Sequence, residues 1–145
     1  EVSMFYDKKT FFEKLMDGEN PFAGDHNFSS SVRVFNFKPR DGKMVTPEDK
    51  AVAVADDAKP YFFPMDVKKD EHEDEEMDTV GYDYQLGVVT GCGNSPKEAA
   101  KNCYINLDGV NFEEKVYRPL QDYISTKYPS SILNRFKYAT QKGLI

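Results

Sequence analysis

The chain has no tryptophan, two cysteines and two histidines in 145 residues. Cys92 and Cys103 do not form a Cys-x-x-Cys pair, and two thiols make no disulfide framework. They read as small, buried apolar residues of a reducing, cytoplasmic setting. His26 and His72 have no cysteine at zinc-ligand spacing. There is no Gly-x-Ser-x-Gly elbow and no glycine-rich phosphate loop. No apolar run reaches the roughly 20 residues that a membrane-spanning helix needs, and no signal-peptide pattern is present. A basic surplus is missing as well, since the net charge is −6. Seven acidic residues fall between Asp70 and Asp78, so the remaining 18 stand against 19 basic residues and balance at +1. The acidity is local, and there is no basic surface for nucleic acid.

What is present suits one α+β domain with an aromatic-rich core, drawing on 11 Phe and 9 Tyr. Thr10-Phe11-Phe12-Glu13 reads as a helix start, and Phe11, Phe12, Leu15 and Met16 as an apolar stripe over Phe11 to Asp17, with Gly18 as the stop. Ser30 to Lys38 reads as a strand. Val32 and Val34 lie on one face of it and Phe35 and Phe37 on the other, which requires two buried faces or a bulge. Pro39-Arg40-Asp41-Gly42 turns the chain. Ala51 to Ala55 is a short strand, and Tyr61-Phe62-Phe63, flanked by Pro60 and Pro64, is an edge strand. The run from Asp70 to Asp78 lacks the spaced acids and glycine of a calcium loop. It reads as a solvated connection between two hairpin strands, the second opening over Val80 to Tyr84.

The chain is organised around Tyr84 to Ile124. Gln85 to Thr90, centred on Val88 and Val89, is an apolar strand. Gly91-Cys92-Gly93 breaks it. Ser95-Pro96-Lys97-Glu98 carries a capping box with proline at the first helical position. The helix continues through Ala99, Ala100, Cys103, Ile105 and Leu107 to Asp108-Gly109. Pro119 to Tyr128 is mixed. Ser130 or Ser131 caps a last helix with Ile132, Leu133, Phe136 and Ala139 or Thr140 on one face, ended by Gly143. The sum is a small, mostly antiparallel sheet with two to three helices in a single domain, residues 1–145.

The order Gly87-Val88-Val89-Thr90-Gly91-Cys92-Gly93-Asn94-Ser95, then Lys97-Glu98-Ala99-Ala100, then Phe112, Tyr117 and Arg118 resembles the C-terminal domain of phosphoribosylamine–glycine ligase, an ATP-grasp enzyme of purine biosynthesis. The resemblance covers residues 7–124. The helix in 125–145 is an addition, which reads as packed against the sheet, with a surface for oligomer formation as the alternative. The resemblance implies that the chain closes one wall of an active site built on a separate ATP-grasp core. Gly91, Gly93, Asn94 and Arg118 would then contact substrate. ATP and magnesium would belong to the parent enzyme, and no cofactor to this chain. The match departs where the family has Gly-Gly-Arg, replaced here by Asp83-Tyr84-Gln85, and where it has His-Ala-Gly-Thr, replaced by Phe63-Pro64-Met65-Asp66. Gln85 cannot supply an arginine's charge. A stand-alone binding or structural domain that kept this fold and lost the chemistry is therefore the alternative. The start at Glu1 rather than Met fits a processed chain or an excised fragment.

Overall fold

A computed structural model describes residues 8–19, 28–69, 77–112 and 115–144. His26 and His72 lie outside these residues. Four α-helices lie among the described residues: α1 (Lys8–Met16), α2 (Pro96–Asp108), α3 (Leu120–Ile124) and α4 (Ile132–Gln141). The strands there are β1 (Phe28–Phe35), β2 (Lys38–Arg40), β3 (Lys43–Val45), β4 (Ala51–Val54), β5 (Phe62–Pro64), β6 (Val67–Lys69), β7 (Met77–Thr79), β8 (Gln85–Gly93) and β9 (Val110–Asn111). They form a three-stranded sheet ordered β1–β8–β5, a four-stranded sheet ordered β6–β7–β4–β9, and the separate hairpin β2–β3. The α+β class is as expected. The helix count exceeds two to three because Pro119 opens α3, and five residues are too few to show a helical period.

The chain packs as two compact units. The first comprises Glu1–Ser31, Thr90–Tyr104 and Pro119–Ile145, and the second Val32–Val89 and Ile105–Arg118. β1, β8 and α2 each run through both.

In the first unit α1 begins at Lys8, ahead of the expected Thr10 cap. Its stripe is not covered within this unit: Phe12, Leu15 and Met16 are all more than half exposed. Gly18 and Gly143 do end their helices as expected, both at positive φ. In each case two reverse hydrogen bonds close the last turn: Glu19 N to Lys14 O and Gly18 N to Leu15 O, then Leu144 N to Ala139 O and Gly143 N to Thr140 O. At the start of α4 the Ser131 hydroxyl accepts from the Asn134 amide at 3.3 Å. Phe136 on its apolar face meets Phe28 edge-to-face, 5.4 Å between centroids. In α3, Tyr123 donates its hydroxyl to Ser31 O at 3.1 Å and packs on Tyr104.

The second unit shows why sequence alternation worked in β1. Val32 and Val34 are fully buried, whereas Arg33 faces solvent. The strand ends at Phe35 rather than Lys38. That resolves the conflict over Phe35 and Phe37, because only the first of them lies in the strand. An isolated antiparallel bridge to Val116 holds Phe35, and Phe37 meets Phe35 at a tilt and Tyr84 edge-to-face. Asp41 and Gly42, both at positive φ, form the two-residue loop of β2–β3, with Arg40 opposite Lys43. β5 is an edge strand as expected, paired with β8 from Phe62↔Val89 to Pro64↔Gly87, but Tyr61 lies in the 3-10 turn Lys59–Tyr61 before it and Pro64 within it. The acidic run does join two antiparallel strands, β6 and β7. The second strand is Met77–Thr79, however, and 80–84 is an irregular loop, because Gly81 takes a positive φ that a strand cannot hold.

Candidate functional site

The expected glycine turn after β8 does not exist. Gly91, Cys92 and Gly93 remain in the strand, and the whole connection to α2 is Asn94-Ser95. The reason is the closeness of α2 to the strand. A Cβ on Gly91 would stand 2.1 Å from Cys103 N and 2.5 Å from Cys103 Cα. One on Gly93 would stand 2.7 Å from Glu98 Cγ and 2.8 Å from Ala99 N. These glycines let a helix backbone rest on a strand backbone. The helix complements them with Ala99, Ala100, Cys103 and Leu107, all fully buried. Ile105 departs from the expected stripe and is 65% exposed, since it lies two residues beyond Cys103 and so across the helix.

The start of α2 is closed by the chain's own groups. Ser95 Oγ accepts from the Glu98 amide at 3.1 Å. The Glu98 carboxylate accepts from the Asn94 amide at 2.8 Å, one residue earlier than the expected serine amide. Two donors that an anion at this helix start would use are thereby taken. Asn102 Nδ2 donates to Cys92 O at 2.8 Å, and burial pushes the Cys92 thiol up. Of the residues the resemblance singles out, Gly91 and Gly93 are buried, whereas Asn94 is exposed at the turn. Arg118 is exposed in the other unit, next to the Val116–Phe35 bridge.

A second polar constellation was not visible in the sequence. Asp66, 4% exposed, accepts from the amides of Gly81 and Tyr82, both at 3.1 Å, and from Asn36 Nδ2 at 3.3 Å. With its amide turned over, buried Asn36 places its nitrogen 2.7 Å from Tyr84 O and 3.1 Å from Asp83 O, so either edge of this amide meets the same region. Thr46 Oγ1 donates to Gly81 O at 2.7 Å, and the Val80 amide donates to Asp66 O. The 80–84 loop is therefore held from several sides. Its side-chain partners Asp66 and Thr46 are 15 to 35 residues away in sequence, which no local pattern reports.

At the far end of α2, Lys115 Nζ donates to Val110 O at 2.6 Å and Leu107 O at 3.1 Å, capping the helix. Burial pushes its ammonium below the ordinary 10.5, and Asp108 partly opposes the shift. The folded chain thus releases this proton at lower pH than the unfolded chain. Lys115 costs stability while charged, and that cost falls as pH rises through the folded value toward 10.5. In an NMR titration of the lysine ε-groups, Lys115 is expected to titrate below the exposed lysines. In Lys115→Met, stability should rise less steeply over that alkaline window than in the wild type. A Lys115 signal that titrates with the rest would refute the assignment.

Among the described residues no group of three or more His, Cys, Asp or Glu side chains is placed to hold a metal ion. No helix among them is long and apolar enough to cross a membrane. Neither the protein-family models nor the curated protein sequences give a match. A solved structure does: phosphoribosylamine–glycine ligase of Thermotoga maritima, with a TM-score of 0.51 over 76% of this chain. The chain has the fold of part of that ligase. Identity is 19%, and the chain spans 26% of the ligase's length. The short span fits the resemblance to a C-terminal domain. At this identity the shared property is the fold.

Proposed function

We propose that this chain is the C-terminal domain of an ATP-dependent carboxylate–amine ligase similar to phosphoribosylamine–glycine ligase, and that it does not catalyse by itself. The observation that carries this reading is the fold match over three-quarters of this chain to a quarter of a ligase chain. The reaction class gives the rest of the reasoning. Forming an acyl phosphate and attacking it with an amine calls for a metal bridging phosphates and for donors around the transferred group. The sequence has no phosphate loop to supply them, so the ATP-grasp core must, and with it ATP and magnesium. Asn94 in the first unit and Arg118 in the second are exposed, and each by itself is a candidate contact to that core.

The alternative is a binding or structural domain without ligase chemistry. It is favoured by Gly91 and Gly93 being used up under α2, and by Gln85 standing where the resembled family has arginine. The coding sequence ahead of Glu1 and an assay together separate the two readings. With ATP, magnesium, glycine and phosphoribosylamine, the 145 residues alone are expected to form no ligation product. An ATP-grasp core joined to them should do so, with Arg118→Ala lowering kcat/KM about tenfold or more. Turnover by the isolated chain overturns the non-catalytic assignment. An inactive joined protein, or a gene with no core, favours the alternative.

A further inference from the structure

We propose that the outer face of α4 is a docking surface for a second copy of this chain, and that its occupant is that copy's acidic segment 70–76. The inference goes beyond the ligase reading and does not depend on it. Phe136 turns inward to Phe28. At about 100° per residue, Arg135, Lys137, Tyr138, Gln141 and Lys142 then fall on the opposite half of the helix. All five are exposed. Tyr138 is 59% exposed, and Lys142 Nζ stands over its ring at 5.7 Å, so these side chains share one surface. The charge of this face has one sign. From Tyr123 onward the sequence has four basic residues, Lys127, Arg135, Lys137 and Lys142, and no Asp or Glu. Among the described residues, none of the three cations on α4 is held in an ion pair.

Charge selects the occupant. Cations spaced along one helix face attract a partner that carries several carboxylates, and steer its approach. The chain itself supplies such a partner. Asp70-Glu71-His72-Glu73-Asp74-Glu75-Glu76 holds six acids and no Lys or Arg. This segment joins β6 to β7, whose facing ends Lys69 and Met77 are paired. Like charges packed so densely repel one another, and cations set among them relieve that repulsion. Two copies related by a two-fold axis make the contact twice, each segment on the other's α4. Single surface ion pairs are worth little, so several of them must act together, and salt weakens them all.

The test mixes equal amounts of isotope-labelled and unlabelled gene product at low salt, and joins carboxylates to amines with a zero-length carbodiimide. Mass spectrometry is expected to show a carboxylate of 70–76 joined to Lys137 or Lys142, with labelled and unlabelled peptides paired. Sedimentation equilibrium should give a dimer whose Kd rises about tenfold or more in Arg135→Glu/Lys137→Glu/Lys142→Glu, and likewise at high salt. Alanine at the same three positions keeps helix propensity, and should weaken the dimer even where the glutamates disturb α4. Mixing that alanine variant with a chain whose six acids are Asn and Gln should restore part of the dimer, because one of the two contacts re-forms. Cross-links confined to one label, a monomer at every salt concentration, or a dimer that no variant weakens overturns the proposal.

Discussion

Gly91→Ala is expected to lower folding stability by about 4 kcal/mol or more, beyond the usual cost of overpacking. The added methyl would stand 2.1 Å from Cys103 N, 2.5 Å from Cys103 Cα and 2.7 Å from Asn102 C. All three are main-chain atoms, so no side-chain rotation relieves the clash. Instead α2 must move away from β8, and the two-residue connection Asn94-Ser95 leaves little slack. Moving it also separates the Cys103 and Ala99 backbone from the strand glycines it lies against. Against a total of roughly 5–15 kcal/mol for a domain this size, the loss is large enough to unfold much of the protein. Gly18→Ala is the matching control. Nothing lies within 4 Å of its added methyl, and only its φ of +74° is unfavourable, so about 1 kcal/mol is expected. Chemical denaturation of both variants checks the difference. A cost for Gly91→Ala no greater than the control's would mean that helix and strand do not lie as close as described.

Asp66→Ala is expected to cost about 2–4 kcal/mol. It strands the amides of Gly81 and Tyr82 in surroundings where Asp66 is 4% exposed. The effect should be regional as well as global. Hydrogen exchange at Gly81 and Tyr82 should accelerate more than exchange in α4, which makes none of these bonds. Asp66→Asn keeps one acceptor oxygen and should recover part of the loss. Uniform acceleration across the chain, or a cost below about 1 kcal/mol, would place the carboxylate in a less buried role.

Elements governed by neighbouring residues were legible. Ser95, Pro96 and Glu98 placed the start of α2 at the observed residue, because a cap is a matter of three or four consecutive positions. Gly18 and Gly143 ended their helices because the required φ belongs to a single residue. Prolines 60 and 64 marked an edge strand, because a missing N–H is tolerated only there. The strand ends were less legible. β8 continues through Gly91, Cys92 and Gly93, since a glycine that breaks a strand and a glycine that admits a helix look the same in one dimension. Gly91 and Gly93 therefore serve the packing of α2 and form no turn.

Periodicity was a poor guide to burial. Phe12, Leu15 and Met16 have the spacing of a buried stripe and are more than half exposed, because spacing says only which side chains share a face. The Asp66 clamp left no trace in the sequence, since its donors are separated from it by 15, 16 and 30 residues. Caps, turns, the alternation of β1 and the α+β class thus followed from short-range rules of φ, hydrogen bonding and side-chain period. The closeness of α2 to β8, the burial of the Asp66 carboxylate and the exposure of Phe12, Leu15 and Met16 came only with the tertiary structure, because each depends on which distant backbone lies alongside.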